Sequence, residues 1–372
     1  MRAFDAADAE PYRIPFGEQF TPHMVTAEWT ERDGWSEPRL SPFGNLSMSP
    51  AMVGLHYGQV VFEGLKAYRR GSDAVACFRP VDHAARLRRS AERLAVPALP
   101  EESLLAAVDL LLEADGGCLP DRPGLSLYLR PVLYASEANL ALRPARRYAF
   151  LLIAFVTGGF FSDRPDPVKV WVSRDYTRAA PGGTGGVKFA GNYAPSYAAQ
   201  EQARRAGCDQ VVWLDPVERR WVDELGGMNL FFVRGSGPSA HLVTPPVTGT
   251  LLPGVTRDSL LHLAAGGGLA VHEEPVSVEQ FRTECLDGTI TETFASGTAA
   301  VVTPVGTVRD GAESWQVGDG QAGPVTLALR DALVDIHTGR ASAPAGWLRT
   351  VGIRGSDPGR PQSRESLVGS GQ

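Results

Sequence analysis

Short apolar runs alternate with turns and two amphipathic stretches over the first 156 residues. The apolar positions in LSLYLRPVLYAS follow no helical period, and YAFLLIAFV is continuously apolar, as in a fully buried strand. HAARLRRSAERL and ESLLAAVDLLLEA instead repeat their apolar residues with the spacing of one helix face. The pattern predicts strands over 60–70, 74–80, 125–136 and 148–156, and helices over 83–94 and 102–114.

A loop rich in Gly, Pro and Asp, 157–168, separates this part from a second series of apolar runs. The second series contains a Gly-rich loop, PGGTGGVKF, and a Gly at position 207 that suits a helix C-terminus. Residues 352–372 are rich in Gly, Ser, Pro and Arg, which predicts a disordered tail. The pattern predicts strands over 168–173, 210–215 and around 228–233, and helices over 192–207, 254–265 and 324–339.

The length of 372 residues suggests about two domains, and a net charge of −6 argues against a nucleic-acid or anionic-membrane surface. The longest apolar stretch is too short to cross a bilayer, which takes roughly 20 residues. Four scattered cysteines and the lack of an H-E-x-x-H motif predict neither a disulfide framework, nor a zinc site, nor metal catalysis. We therefore expect a cytoplasmic protein with no metal.

Lysine is scarce: 33 of the basic residues are Arg, and the lysines are Lys66, Lys169 and Lys188. Arg replaces Lys easily on a surface, but not where a primary amine must form an imine. Lys188 lies between a Gly-rich loop and apolar or small residues, which favours an imine with a carbonyl cofactor. Lys169 is expected to be a solvated flank of a strand, and Lys66 a structural ion-pair partner.

A pyridoxal phosphate enzyme also needs an acid at the pyridine nitrogen and a site for the phosphate. Asp223 and Glu224 are adjacent on a predicted strand, so only one of them can face the site. Two segments, 254–258 and 296–300, could supply backbone N–H groups to a phosphate. Arg86 on the first predicted helix could hold the phosphate from the side. Each of these features alone is equally typical of an ordinary turn, cap or surface residue.

Taken together and in order, six motifs resemble the branched-chain amino acid aminotransferases, the fold type IV pyridoxal phosphate enzymes. The resemblance covers about residues 16–347 and implies a two-domain α/β fold. A small N-terminal α/β domain (1–156), an interdomain loop (157–168) and a large pseudo-barrel domain that binds the cofactor (169–351) would precede the tail (352–372). The motifs are LHYGQVVFEGLKAY (55–68), LYLRP (127–131), GGTGGVKFAGNY (182–193), ELGGMNLFF (224–232), LPGVTR (252–257) and SGTAA (296–300).

The resemblance also implies a role for individual residues. Lys188 would be the catalytic residue and would carry pyridoxal 5'-phosphate as an imine, with Glu224 rather than Asp223 at the pyridine nitrogen. The family forms homodimers in which a loop of the partner closes the pocket, and Leu140 and Leu142 match that loop. The other cofactor-binding residues would be Tyr193, Arg86, Val255, Thr256 and Thr298, and the substrate pocket would include Tyr57, Phe62, Tyr128, Arg130, Phe160, Gly297 and Ala299.

The activity that this resemblance implies is transamination of leucine, isoleucine and valine with 2-oxoglutarate by a ping-pong mechanism, giving branched 2-oxo acids and L-glutamate. Apolar Phe62, Phe160 and the partner's Leu140 suit a branched chain, whereas Arg130 with Tyr57 suits the second carboxylate of glutamate. The alternatives are an aminotransferase for an unusual amino acid of secondary metabolism or for D-amino acids, and a non-catalytic protein that binds the cofactor.

Overall fold

The computed structural model describes residues 16–158 and 165–353, which form two nine-stranded sheets with helices packed against them. The first sheet has the strand order β18-β6-β5-β7-β8-β1-β2, with β3 added beside β1 and β4 beside β7. Its strands are β1 (His23–Thr30), β2 (Gly34–Trp35), β3 (Arg39–Pro42), β4 (Val60–Phe62), β5 (Leu65–Arg70), β6 (Ala74–Phe78), β7 (Ser126–Ala135), β8 (Arg147–Thr157) and β18 (Leu348–Gly352).

Three helices accompany this sheet: α1 (Val53–Tyr57), α2 (Pro80–Arg93) and α3 (Glu101–Asp115). Both helices that the sequence predicts in this part are therefore confirmed. α2 starts with Pro80, whose fixed φ and missing N–H suit the first turn of a helix. The apolar faces of α2 and α3 bury against β5, β7 and β8 in one core.

The predicted strand over 60–70 is interrupted at Glu63 and Gly64, between β4 and β5. Gly64 lies so close to the Tyr128 ring that a Cβ at this position would overlap the phenol hydroxyl. The periodicity of the apolar residues does not reveal this break, because the apolar pattern continues across it.

The second sheet has the order β11-β10-β9-β16-β15-β12-β13-β14, and β17 pairs with β16. Because β11 also pairs with β12, six of these strands close a ring, which agrees with the implied pseudo-barrel. The strands are β9 (Val168–Val172), β10 (Gln210–Leu214), β11 (Val222–Leu225), β12 (Met228–Arg234), β13 (His241–Thr244), β14 (Ala270–Glu273), β15 (Ile290–Gly297), β16 (Val301–Asp310) and β17 (Glu313–Gln316).

The helices of this part are α4 (Ser196–Arg205), α5 (Val255–Gly266), α6 (Val278–Leu286) and α7 (Pro324–Thr338). The predicted helix over 192–207 is shorter than expected: it begins at Ser196, and a separate 3-10 turn occupies Ala190–Asn192. Pro195 lies between the two and disfavours the helical conformation of the residue before it.

The last strand, β18, follows the second sheet in the chain but pairs with β6 of the first sheet, and so connects the two parts. Gly352 belongs to this strand, and the Ile353 amide donates to the Asp73 carbonyl. The predicted tail therefore begins at least two residues too early, and residues 354–372 lie outside the described part of the chain. The predicted domain limits otherwise stay a prediction. No helix among the described residues is both long and apolar enough to cross a membrane.

Candidate active site

Lys188 lies where the two sheets meet, and its backbone is held by the first part of the chain. The Lys188 amide donates to the Ser90 hydroxyl at 3.0 Å, and its carbonyl accepts from the Phe62 amide at 3.1 Å. Ser90 is on α2 and Phe62 ends β4, so the lysine is fastened by two elements far from it in sequence. This double attachment fixes the starting point of the side chain.

The Lys188 amine lies beside the rings of Phe62 and Tyr193. Its Nζ lies 3.2 Å from the Tyr193 hydroxyl and 5.1 Å from the centre of the Phe62 ring. The Phe62 and Tyr193 rings pack against each other with centroids 5.1 Å apart. The amine is thus half-buried, on one side against rings and on the other towards a cavity.

That cavity, of about 130 Å³, brings together most of the residues that the resemblance implies. Lys188 and Tyr128 line it together with the start of α5 and the turn between β15 and β16. A smaller adjoining pocket contains Tyr193 and Glu224. The lining residues of the larger cavity that were predicted from the sequence are Arg86, Tyr128, Lys188, Val255, Thr256, Gly297, Thr298 and Ala299.

Glu224 is buried on β11 and has two hydrogen-bonding neighbours. The Leu252 amide donates to its Oε1 at 2.6 Å, and Arg178 approaches its Oε2 at 3.1 Å. Burial raises the pKa of Glu224, and the charge of Arg178 and the Leu252 amide oppose that rise. Asp223 faces the other side of the strand and lines a separate cleft with Trp221, as the alternation along a strand requires.

Arg178 is a site residue that the sequence analysis missed. Its side chain is only 10% exposed, and it also donates to the Thr250 carbonyl beside its ion pair with Glu224. It lies in the segment DYTR between two elements, where no periodicity or motif singles it out. Only the folded chain shows that it lies beside an acid 46 residues later.

The buried Arg86 side chain extends from α2 to the start of α5, where it donates to the Pro253 carbonyl at 3.2 Å. The first residues of that helix, Val255 and Thr256, present their backbone N–H groups at its N-terminus, which favours an anion. Arg86, Thr256 and Thr298 line the same cavity. This end of the cavity has the donors that a phosphate group requires.

The orientation of Arg86 depends on Glu63, which the sequence analysis also missed. Glu63 is fully buried and accepts from Arg86 Nε at 2.6 Å, Arg86 Nη2 at 2.9 Å, His83 Nδ1 at 2.8 Å and the Gly64 amide at 3.1 Å. Although burial alone raises the pKa of Glu63, Arg86 and His83 bring it far below its ordinary value. Burial is also the main cause that lowers the pKa of His83.

Arg130 lies beside the cavity with its guanidinium against two rings. It donates to the Tyr128 hydroxyl at 3.2 Å, and its Cζ lies 4.8 Å from the centre of the Phe62 ring. Its Nε is buried without a hydrogen-bond partner among the described residues. Phe16, which the sequence analysis left out, packs edge-on against Tyr128 with centroids 5.0 Å apart.

Three predicted pocket residues lie away from this cavity, on the surface. Tyr57 is 47% exposed and its hydroxyl donates to the Leu140 carbonyl at 2.8 Å, while Leu142 is 92% exposed. None of the three lines the cavity around Lys188. Their role in a pocket stays a prediction, and Phe160 lies outside the described residues.

The described residues fit pyridoxal phosphate. A primary amine faces the cavity, a buried acid lies in the adjoining pocket, and Arg86 with a helix N-terminus supplies donors for a phosphate. The buried Ser296 hydroxyl at the cavity wall has no hydrogen-bond partner among the described residues. The arrangement can hold a planar, anionic cofactor whose carbonyl reacts with an amine.

Comparisons with known proteins agree with this arrangement. The model of the class IV amino-transferases matches residues 60–308. The branched-chain-amino-acid aminotransferase of Mycobacterium tuberculosis is 49% identical over 352 residues, covering 94% of this chain and 96% of its own. That of Mycolicibacterium smegmatis is 50% identical over 334 residues, covering 90% and 91%.

A solved structure is also similar: the T.th. branched-chain amino acid aminotransferase complexed with N-(5'-phosphopyridoxyl)-L-glutamate. It superimposes with a TM-score of 0.70 at 28% identity, covering 87% of this chain and 98% of its own. The phosphopyridoxyl group of that ligand is of the same chemical class as the cofactor to which the residues around Lys188 are suited.

Proposed function

The chain belongs to the class IV aminotransferases, and from this premise we propose that it transfers the amino group of leucine, isoleucine or valine to 2-oxoglutarate with pyridoxal phosphate. The proposal rests on the position of the Lys188 amine. It lies 3.2 Å from the Tyr193 hydroxyl, at the wall of a cavity whose donors, Arg86 and the start of α5, suit a phosphate group. Relatives at 49–50% identity that cover nine-tenths of the chain support the branched-chain substrates.

When bound, the cofactor supplies a carbonyl that reacts with the substrate amine and a ring that takes up negative charge. Lys188 would act as the general base that removes the proton from the substrate Cα and as the general acid that returns a proton at C4′ of the cofactor. Tyr193 orients the Lys188 amine through their hydrogen bond. The Phe62 and Tyr193 rings exclude water from one side of this amine.

The Glu224 carboxylate would bind the protonated ring nitrogen of the cofactor in the pocket that it shares with Tyr193. This carboxylate is in a low-dielectric position, where an ion pair with a protonated ring nitrogen is stronger than in water. Arg86, Val255, Thr256 and Thr298 bind the phosphate, and the Glu63 carboxylate orients Arg86 for that task.

The second substrate is a dicarboxylate, 2-oxoglutarate or L-glutamate, and Arg130 recognises its distal carboxylate. The buried Arg130 Nε without a partner among the described residues leaves a donor for such a ligand. The glutamate portion of the ligand in the T.th. enzyme supports this assignment. The Phe62 ring beside Arg130, together with Phe160, suits the branched aliphatic chain of the other substrate.

The working form is a homodimer in which the partner's loop covers the pocket. Leu140 and Leu142 are 51% and 92% exposed, and the exposed Tyr57 donates its hydroxyl to the Leu140 carbonyl, so the three form one apolar surface. An exposed apolar patch of this kind is typical of an interface. All four cysteines are free, which supports a cytoplasmic location.

An amino-donor screen with 2-oxoglutarate tests this function. Leucine, isoleucine and valine should give glutamate, and Lys188→Ala should abolish turnover. After borohydride reduction, peptide mapping should find the cofactor on Lys188. Cofactor on Lys66 or Lys169 would overturn the assignment of the lysine, and turnover of unusual or D-amino acids alone would favour the alternative aminotransferases.

A variant separates dual substrate recognition from a structural role of Arg130. A hydrogen bond to a carboxylate is worth roughly 1.5–3 kcal/mol, so Arg130→Met should lower kcat/KM for glutamate about 10- to 150-fold. The loss should be much smaller for leucine, whose side chain offers no charge. A uniform loss for both substrates would show that Arg130 acts only on the structure.

A further inference from the structure

A Gly-rich loop, 182–187, leads directly to Lys188, and the proposed function gives this loop no task. The loop begins at the surface, where Gly182 and Gly183 are exposed, and ends at the cavity that Lys188 lines. Glycine loses more conformational freedom on folding than any other residue, so a Gly-rich loop is well defined only where contacts fix it. These contacts therefore determine how precisely the Lys188 amine is placed.

The inner side of the loop is closely packed. A Cβ at Gly185 would overlap the Thr250 carbonyl oxygen, so the backbone here lies directly against the second part of the chain. Asn192 donates through Nδ2 to the Thr184 carbonyl at 2.7 Å and to the Val187 carbonyl at 3.0 Å. The loop therefore has no room to move inward, and its outer end needs a restraint from the opposite side.

That restraint comes from Arg93, the last residue of α2. Its Nη2 donates to the Gly182 carbonyl at 2.8 Å and to the Gly183 carbonyl at 3.1 Å. One guanidinium nitrogen thus binds two consecutive carbonyls, at a position where Gly182 has a φ of +73°, which glycine adopts without steric cost. Hydrogen bonds from a charged donor are roughly twice as strong as those between neutral groups, so this contact can hold a flexible segment.

Arg93 and Ser90 restrain the two ends of the loop from one helix. They are three residues apart on α2 and therefore lie on the same side of it. Ser90 accepts from the Lys188 amide at 3.0 Å, whereas Arg93 holds the first carbonyls of the loop. The same helix carries Arg86, which lines the phosphate end of the cavity. One helix of the first part thereby relates the position of the lysine to that of the phosphate donors.

We propose that Arg93 is a positioning residue that holds the 182–187 loop against α2 and so places the Lys188 amine for proton transfer at the substrate Cα. Arg93 does not line the cavity and acts only through the loop. The catalytic consequence rests on the proposed function, whereas the restraint on the loop is a property of the chain alone and is measurable without the cofactor.

Arg93→Met tests the catalytic consequence in the holoenzyme, because methionine keeps an apolar stem and removes the donors. In stopped-flow half-reactions, the maximal rates with leucine and with glutamate should fall alike, about 10- to 100-fold, while the half-saturating concentrations change less than about twofold. Arg93→Lys keeps a charged donor and should recover most of the lost rate. Arg89→Met is the matched control on an exposed position of the same helix and should leave both rates unchanged.

Hydrogen exchange in the cofactor-free protein measures the restraint itself. The Lys188 amide donates to Ser90, so it exchanges only when the end of the loop moves away from α2. In Arg93→Met this amide should exchange about 10- to 100-fold faster, the range for the loss of hydrogen bonds to a charged group. The amides of α3 should keep their wild-type rates, and Arg89→Met should change neither set.

Other outcomes overturn the proposal in distinct ways. Unchanged exchange of the Lys188 amide would show that Arg93 does not hold the loop, whatever the rates of the half-reactions. Faster exchange throughout α2 and α3 would indicate a general structural role. Arg93→Lys as slow as Arg93→Met would show that the donors of Arg93 are not what matters. Wild-type protein without transamination would refute the proposed function instead, and hydrogen exchange would still decide whether Arg93 restrains the loop.

Discussion

Two glutamates of the site are both buried beside an arginine, yet their pKa values shift in opposite directions. Glu63 has a pKa far below its ordinary value, whereas Glu224 has a raised pKa. Four donors reach Glu63, from Arg86, His83 and the Gly64 amide. Glu224 is reached by the Leu252 amide and by Arg178 only, among the residues that the structure describes.

The difference shows which carboxylate is available to a ligand. A carboxylate has about four lone-pair sites, and four donors lie within hydrogen-bonding distance of Glu63, one at Oε1 and three at Oε2. Glu63 is thereby committed to orienting Arg86. Glu224 keeps acceptor capacity in the pocket it shares with Tyr193, and a new positive charge there would relieve the cost of its burial. Burial alone therefore does not separate a structural acid from a functional one; the number of donors does.

The largest effect is expected at Glu224. Glu224→Gln removes the charge that keeps a ring nitrogen protonated, so kcat should fall roughly 100-fold or more while the cofactor still binds. Steady-state kinetics and the cofactor absorbance measure the two properties separately. Asp223→Asn is the matched control on the same strand and should change kcat far less, since Asp223 faces a different cleft. Equal losses from both variants would contradict the comparison.

A stability effect is expected at Glu63 instead. Glu63→Gln leaves Arg86 buried without its bidentate partner, and breaking such a buried pair costs roughly 3–5 kcal/mol of the free energy of unfolding. Urea unfolding of the cofactor-free protein measures this loss. Cofactor affinity should fall as well, because Arg86 is no longer oriented, whereas kcat at saturating cofactor should change little. A large loss of kcat with unchanged stability would reverse the roles given to the two glutamates.

The sequence predicts Lys188 and Glu224 more readily than the residues that surround them. Lys188 is singled out because lysine is scarce, and strand alternation requires that only one of Asp223 and Glu224 face the site, whereas the choice of Glu224 comes from the family resemblance. Glu63, His83 and Arg178 were missed, since their significance depends on side chains brought together from 20 or more residues away. The alternation of apolar positions predicted most strands, but it could not show the break at Gly64, which results from the approach of the Tyr128 ring.

Removing the arginine beside Glu224 sharpens the comparison further. The positive charge of Arg178 opposes the rise that burial causes in the pKa of Glu224, so Arg178→Met should raise this pKa further. Because the ionised carboxylate is the active form, activity should then be lost at a higher pH as the solution is acidified. We expect a pH–rate profile whose acidic limb moves upward, with the loss of kcat largest at acidic pH. An unshifted limb would show that Arg178 does not control Glu224.

The smallest expected effect is on the pH dependence of stability, where the two glutamates should have opposite signs. The folded pKa of Glu63 lies below its unfolded value, so its contribution is present above the unfolded pKa and is lost as the pH falls through the folded pKa. The folded pKa of Glu224 lies above its unfolded value, so its contribution is present at low pH and is lost as the pH rises through the folded pKa. Each pKa unit between folded and unfolded states corresponds to about 1.4 kcal/mol. In cofactor-free protein, the free energy of unfolding of the wild type minus that of Glu63→Gln should therefore rise from acidic to neutral pH. The same difference taken against Glu224→Gln should fall over this range. Parallel slopes in the two urea titrations would mean that the donors around each carboxylate do not set its charge.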